Sequence, residues 1–267
     1  MKKRDGYAEV KGAKLYYEIT GDGHPLVLIH GGLMDSRMWD DQMDIFAQRY
    51  EVIRYDIRGY KDSDPPGKKF SHVEDLYCLL RSLNIEKAYI VGLSLGGMIA
   101  IDFALEHPEM AAALIPVASG LNGYQYQDAE NLEPRFTAIF KAGKTEGVDK
   151  AVDLLMELPY FVPAQENSEV RQRMRLMAKE NYNTWSVQQD TRMWPSPPSL
   201  ERLSEIKIPT LIIVGDHDVS DIFGVADALE AEISEAKKVI IEGAGHHVNM
   251  EKPDEFNKTV LDFLFSP

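Results

Sequence analysis

Short apolar runs alternate with amphipathic segments over both ends of the chain. Continuous apolar runs of four to eight residues are typical of strands buried on both faces, whereas apolar residues three and four positions apart predict helices. The runs predict strands at 26–29, 51–55, 89–91, 111–118, 209–215 and 238–241, preceded by a hairpin with strands at 7–10 and 15–19. The periodic segments predict helices at 36–49, 71–83, 98–105, 222–232 and 254–265.

Residues 121–199 interrupt this alternation, because they contain no convincing buried strand. They are rich in Met, Tyr and Trp, and their spacing predicts helices at 136–140, 148–158 and 170–185. Alternation of strand and helix predicts an α/β fold, a mostly parallel twisted sheet with helices on both faces. We therefore expect a core formed by residues 1–120 and 200–267, with an inserted helical cap, or lid, at 121–199.

Composition narrows the possible partners. The 267 residues include 43 acidic and 29 basic side chains, giving a formal charge of −14. Such a surface repels nucleic-acid phosphates and anionic lipids, so we expect neither nucleic acid nor membrane as a partner. The single cysteine, Cys78, allows no intrachain disulfide. The basic first residues are followed by no apolar stretch, so we expect no signal peptide and a cytoplasmic protein.

One motif joins the predicted strand at 89–91 to the helix that follows it. Residues 92–96 read Gly-Leu-Ser-Leu-Gly, a G-x-S-x-G pattern in the strand–turn–helix context that gives it meaning. A turn this sharp holds Ser94 in a strained conformation and exposes its hydroxyl above the sheet edge. A hydroxyl alone is a weak nucleophile, so the motif predicts a base elsewhere in the chain.

Residues that follow the other predicted strands supply that base and a carboxylate. Ligands of open α/β sheets bind beyond the carboxyl ends of the strands. Three acidic residues follow the strand at 209–215, and two adjacent histidines follow the strand at 238–241. The acidic candidates are Asp216, Asp218 and Asp221, and the histidines are His246 and His247. A serine, a carboxylate and an imidazole, in this chain order, thus project from one rim.

Five segments together resemble the α/β-hydrolase fold superfamily, and most closely its serine esterase and enol-lactonase branch. They are His30-Gly-Gly, Asp56-Ile-Arg-Gly, Gly92-Leu-Ser-Leu-Gly-Gly, Gly215-Asp-His-Asp and Gly243-Ala-Gly-His. The resemblance implies Ser94 as nucleophile, His246 as base and Asp218 as the carboxylate that orients it. It implies the backbone N–H groups of Gly32 and Leu95 as the oxyanion hole, and it calls for no metal and no cofactor.

Two positions in these motifs carry further expectations. His30 resembles a structural residue of the family, one that braces its loop by hydrogen bonds. The family usually has glycine where this chain has Lys61, after Arg58-Gly59-Tyr60. If the backbone there has a positive φ, Lys61 is strained by about 1 kcal/mol.

The resemblance implies a serine hydrolase that cleaves a carboxylic ester or lactone through an acyl-enzyme. The many Met, Phe, Tyr and Leu side chains of residues 121–199 suit a small-to-medium, largely apolar substrate. We expect Leu33, Tyr124 and Trp194 to contact it, with water as second substrate and a monomer or homodimer as the assembly. A cofactor-free perhydrolase or haloperoxidase, a carbon–carbon bond hydrolase and a triad-bearing signal receptor remain alternatives.

Overall fold

The computed structural model describes residues 2–67, 69–127, 129–186, 191–234 and 236–265. Eight strands form one sheet in the order β1-β2-β4-β3-β5-β6-β7-β8. The strands are β1 (Lys3–Val10), β2 (Ala13–Thr20), β3 (His24–Ile29), β4 (Tyr50–Tyr55), β5 (Ala88–Leu93), β6 (Ala111–Val117), β7 (Thr210–Gly215) and β8 (Ala236–Ile241). The pairs β1–β2 and β2–β4 are antiparallel, and all the others are parallel. The predicted fold class is confirmed.

Helices pack on both faces of the sheet. They are α1 (Asp40–Phe46), α2 (His72–Ser82), α3 (Leu95–Glu106), α4 (Ala129–Thr145), α5 (Val148–Met156), α6 (Ser168–Glu180), α7 (Tyr182–Trp185), α8 (Ser220–Glu232), α9 (Val248–Glu251) and α10 (Pro253–Phe265). None of these helices, within the described residues, combines the length and the apolar character needed to cross a membrane.

Strand β3 shows why the central strands read as continuous apolar runs. Leu26 and Leu28 belong to the apolar cluster on one face of the sheet, and Val27 and Ile29 belong to the cluster on the other face. All four side chains are fully buried. Since successive residues of a strand point to opposite faces, a strand covered on both sides must be apolar throughout.

The described parts of the segment between β6 and β7 contain helices α4 to α7 joined by turns and irregular loops, and Arg192 forms an isolated bridge with Phe70. Helix α6 ends at Asn181, whose side chain is buried between this segment and the sheet. Its Oδ1 accepts the Lys61 N–H at 2.7 Å, and its Nδ2 donates to Asp35 Oδ2 at 2.8 Å. Hydrogen bonds of Asn181 therefore connect the inserted helices to two loops at the carboxyl ends of β3 and β4.

Candidate active site

Ser94 occupies the turn between β5 and α3 with φ 54° and ψ −110°. This is a region that non-glycine residues rarely adopt, and such residues persist only where the surroundings hold them. The Ser94 N–H donates to Val117 O at 2.9 Å, and its carbonyl accepts the N–H groups of Met98 and Gly120 at 3.0 and 3.1 Å. Helix α3 begins directly after Ser94, three residues earlier than the sequence pattern predicts.

Three glycines allow the turn to be this tight. A Cβ at Gly92 would collide with the carbonyl of Gly96, and one at Gly96 would collide with the carbonyl of Ile29. A Cβ at Gly97 would collide with the Ser119 hydroxyl. Glycine is therefore required at these three positions, because neighbouring atoms approach the backbone too closely for a side chain.

His246 meets Asp218 at the carboxyl ends of β7 and β8. The His246 Nδ1 lies 2.9 Å from Asp218 Oδ2 and 3.2 Å from Oδ1, and the Asp218 side chain is fully buried. Asp218 Oδ1 also accepts the Val219 N–H at 2.8 Å, which fixes the plane of the carboxylate. Because a carboxylate only accepts, Nδ1 carries the proton and Nε2 is left with a free lone pair.

The other two acidic residues after β7 have different partners. Asp216 Oδ1 accepts the N–H groups of Gly243 and Ala244, at 2.7 and 3.3 Å. Asp221, near the start of α8, accepts the Gln127 N–H at 2.9 Å. Of the three, the structure therefore brings Asp218 to His246.

A cavity of about 280 Å³ contains both Ser94 and His246 in its wall. The inserted helices and the segments beside them supply several of its aromatic residues. The full lining is Gly31, Gly32, Leu33, Leu93, Ser94, Leu95, Met98, Gly120, Tyr126, Phe136, Tyr160, Phe161, Ile222, His246 and His247.

Gly32 and Leu95 face each other in this wall. A Cβ at Gly32 would lie 3.8 Å from the Leu95 Cβ. Leu95 is the first residue of α3, so its N–H has no partner within the helix. The backbones of Gly32 and Leu95 thus approach each other in the cavity wall that also contains Ser94.

His30 braces the loop that carries Gly32. Its Nδ1 donates to Gly31 O at 2.7 Å, and its Nε2 accepts the Ile57 N–H at 2.9 Å. Burial lowers the pKa of His30, which keeps the ring in the neutral form that can accept. This is the structural role expected from the sequence. Lys61 likewise has a positive φ of 44°, as its place in the motif predicts.

Of the three residues expected to contact the substrate, Leu33 lines the cavity, whereas Tyr124 and Trp194 do not. Tyr124 packs edge to face on Tyr126, with ring centroids 5.2 Å apart, and Trp194 packs against His72 at 5.9 Å. Tyr126 takes the place in the wall that was expected for Tyr124. Spacing alone could not separate two tyrosines that lie two positions apart in an irregular segment.

His247 is buried, with 2% of its surface exposed, and it also lines the cavity. Burial, together with the neighbouring His246, lowers the pKa of His247 to about 3. The His247 ring is therefore neutral at physiological pH and forms part of the cavity wall. The His247 ring packs against Phe161, with ring centroids 5.2 Å apart.

Within the described residues, no group of three His, Cys, Asp or Glu side chains is arranged to hold a metal ion. The polar groups of the cavity include the Ser94 hydroxyl and the His246 imidazole, which is held by the buried carboxylate of Asp218. These groups suit attack on a carbonyl carbon.

Comparison with known proteins bears on the family of this chain. Residues 24–253 match the family model described as alpha/beta hydrolase fold. The AB hydrolase superfamily protein YisY of Bacillus subtilis is 26% identical, over 93% of this chain and 94% of that protein. The pimeloyl-acyl-carrier-protein methyl ester esterase of Vibrio atlanticus is 25% identical, over 93% and 97%. The enol-lactonase of Burkholderia xenovorans has a TM-score of 0.78 and 26% identity, over 98% and 100%.

Proposed function

Because the chain belongs to the alpha/beta hydrolase fold family, we propose that it is a serine hydrolase of carboxylic esters or lactones. His246 supports this most directly: Asp218 holds its Nδ1, and its ring shares one cavity wall with Ser94. A buried carboxylate that fixes the tautomer of an imidazole beside a strained serine is the arrangement that activates a hydroxyl.

In the proposed reaction, the Ser94 oxygen attacks the substrate carbonyl and His246 takes the hydroxyl proton. Asp218 stabilises the imidazolium that forms. The proton then passes to the leaving alcohol as the carbon–oxygen bond breaks, which leaves an acyl group on Ser94. Water, deprotonated by His246, attacks the acyl carbon and releases the acid.

The N–H groups of Gly32 and Leu95 would bind the oxyanion that forms in both steps. Removing one such donor typically costs about 3–4 kcal/mol of transition-state stabilisation. The loops that carry them are held from outside the cavity, one by His30 and the other by the first turn of α3. This preorganisation means that little rearrangement is needed as the charge develops.

The lining and the volume of the cavity support the proposal that the substrate is small and uncharged. The residues described in its wall include no Asp, Glu, Lys or Arg, and the two histidines, His246 and His247, are its basic side chains. Its volume of about 280 Å³ lies just under the roughly 300–1,000 Å³ of pockets for drug-sized ligands. The relatives named as an esterase and an enol-lactonase support an ester or a lactone.

We further propose that residues 121–199 act as a cap. Phe136, Tyr160 and Phe161 lie in this segment, and all three line the cavity. By covering the space above Ser94 with aromatic side chains, the segment would select the acyl or alcohol part of the substrate and limit the access of bulk water.

Replacing Ser94 by alanine tests the proposal. We expect hydrolysis of p-nitrophenyl acetate to fall by roughly 10⁴-fold or more, because the nucleophile is lost. The matched control is Ser82→Ala in α2, whose hydroxyl bonds to Leu79 O away from the cavity; this variant should keep the parent activity. Unchanged turnover by Ser94→Ala would exclude the mechanism. If the activity is lost as expected, a panel of neutral esters and lactones tested on the parent protein defines the preferred substrate.

A further inference from the structure

Glu251 has a role at the site that the sequence motifs do not indicate. It is the last residue of α9, and its carboxylate reaches back to the loop that carries His246. Oε2 accepts the Gly245 N–H at 2.7 Å, and Oε1 accepts the His247 N–H at 2.8 Å. The two carboxylate oxygens therefore hold the main chain on either side of His246.

The approach is close because Gly245 has no side chain. A Cβ there would lie 3.4 Å from Glu251 Oε1 and 2.6 Å from the ring of Pro163. The Glu251 side chain is also largely removed from water. Burial raises its pKa, while the two N–H donors and the neighbouring His246 act in the opposite direction. An anion that accepts two backbone N–H groups is a well-compensated buried charge.

We propose that Glu251 is a positioning residue for His246: it fixes the backbone that aims the imidazole at Ser94, and its charge favours the imidazolium. This inference rests on the proposed function, because it assigns to His246 the role of base. The negative charge of Glu251 would stabilise the imidazolium that forms when the Ser94 proton moves to the His246 ring.

Asp216, in the loop after β7, provides a matched control because its carboxylate binds the same loop that carries His246. It too accepts two backbone N–H groups, from Gly243 and Ala244, but it uses a single oxygen for both. Asp216→Asn keeps that oxygen and removes one negative charge. Glu251→Gln also removes one charge, but it turns one of two accepting oxygens into an amide that faces an N–H donor.

The experiment compares the two variants by kinetics on a neutral ester, by a pH profile and by thermal unfolding. We expect Glu251→Gln to lower kcat/KM by roughly 10- to 100-fold, mainly through kcat, since small misplacement of a catalytic group has effects of this size. The acid limb of the pH profile of kcat/KM should move to lower pH in Glu251→Gln, because the imidazolium loses a neighbouring anion. Asp216→Asn should stay within about threefold of the parent, with its acid limb in place.

The other groups around His246 are the same in both variants. Asp218 faces it from the loop after β7, Tyr160 faces it from the segment after α5, and His247 adjoins it in the chain. A shift of the acid limb in Glu251→Gln alone is therefore attributable to Glu251. A merely structural role would lower stability in both variants without moving the limb.

Two results would overturn the inference: a parent-like kcat/KM and pH profile in Glu251→Gln, or equal losses in both variants. If Glu251→Gln does not fold, Glu251→Asp replaces it, since the shorter anion keeps the charge but cannot reach both N–H groups. That variant should lose kcat and keep the acid limb in place; a parent-like kcat contradicts the inference. Absence of Ser94-dependent hydrolysis in the parent would instead remove the proposed function itself.

Discussion

Ser94 keeps an unfavourable backbone conformation because three hydrogen bonds hold it in place. Strain of this kind costs on the order of 1–3 kcal/mol, and the sheet offsets it through the bond from Ser94 to Val117. The same main-chain contacts leave the hydroxyl free of local packing. Ser94, the proposed nucleophile, is thus one of the described non-glycine residues with a positive φ.

Asp102 is a buried acid that the proposed reaction does not use. It lies in α3, accepts a hydrogen bond from Ser199, and has one buried oxygen without a partner among the described residues. Burial raises its pKa from 3.8 to about 6, helped by the nearby Glu106. The folded state therefore holds this proton more tightly than the unfolded chain does.

We expect Asp102→Asn to stabilise the protein above about pH 6 and to have little effect below about pH 4. A raised folded-state pKa contributes stability that is complete below the unfolded value and is lost as pH rises through about 6. The gain at pH 7–8 should be on the order of 2 kcal/mol. Urea denaturation of both proteins from pH 4 to 8 measures it. A difference that does not change with pH would contradict this assignment.

At the scale of single residues, the sequence predicts those parts of the site that lie in short motifs. Asp218 and His246 each follow a buried strand, and their meeting follows from parallel strands ending at one edge. Glu251 could not be found in this way, because its contact depends on how a four-residue helix folds back. Tyr124 was misplaced because an irregular segment has no period from which to infer direction.

At the scale of elements, the strands were predictable and the helix ends were less so. Strands β2 to β8 lie within two residues of their predicted bounds, whereas β1 begins at Lys3, four residues before the predicted hairpin strand. The segment predicted as one helix at 170–185 divides at Asn181 into α6 and α7, where the side chain turns inward to bond with the core. Tertiary hydrogen bonds decide such breaks, and local periodicity does not contain them.

Asn181 connects the inserted helices to the proposed oxyanion loop. Asp35, which it binds, comes three residues after Gly32. Removing the amide leaves the Lys61 N–H without its acceptor and takes one donor from the buried Asp35. Each unsatisfied buried group costs about 1–3 kcal/mol.

We therefore expect Asn181→Ala to destabilise the protein by about 1–3 kcal/mol and to lower kcat more than it raises KM. The control is Asn167→Ala, which removes the N-cap of α6 at a cost of about 1 kcal/mol and does not reach the oxyanion loop. Thermal unfolding and steady-state kinetics on a neutral ester distinguish the two. Equal kcat values in both variants would contradict a link between this contact and the loop.

At the scale of the whole molecule, the cavity forms between the carboxyl edge of the sheet and the segment that joins β6 to β7. The sheet contributes Ser94, Leu95 and His246 from its carboxyl edge, and the inserted segment contributes aromatic side chains. Sequence patterns predict each part, but which aromatic residues face inward is decided only by packing. The substrate class is for this reason less constrained by the sequence than the reaction is.

Labelling with a fluorophosphonate tests whether His246 activates Ser94. After incubation, peptide mass spectrometry locates the phosphonyl group in the parent, in Ser94→Ala and in His246→Ala. We predict one label on Ser94 in the parent and none in Ser94→Ala. Labelling should be slowed by roughly 100-fold or more in His246→Ala, since the general base is lost. Label on another residue, or equal labelling rates in the parent and His246→Ala, would contradict the activation of Ser94 by His246.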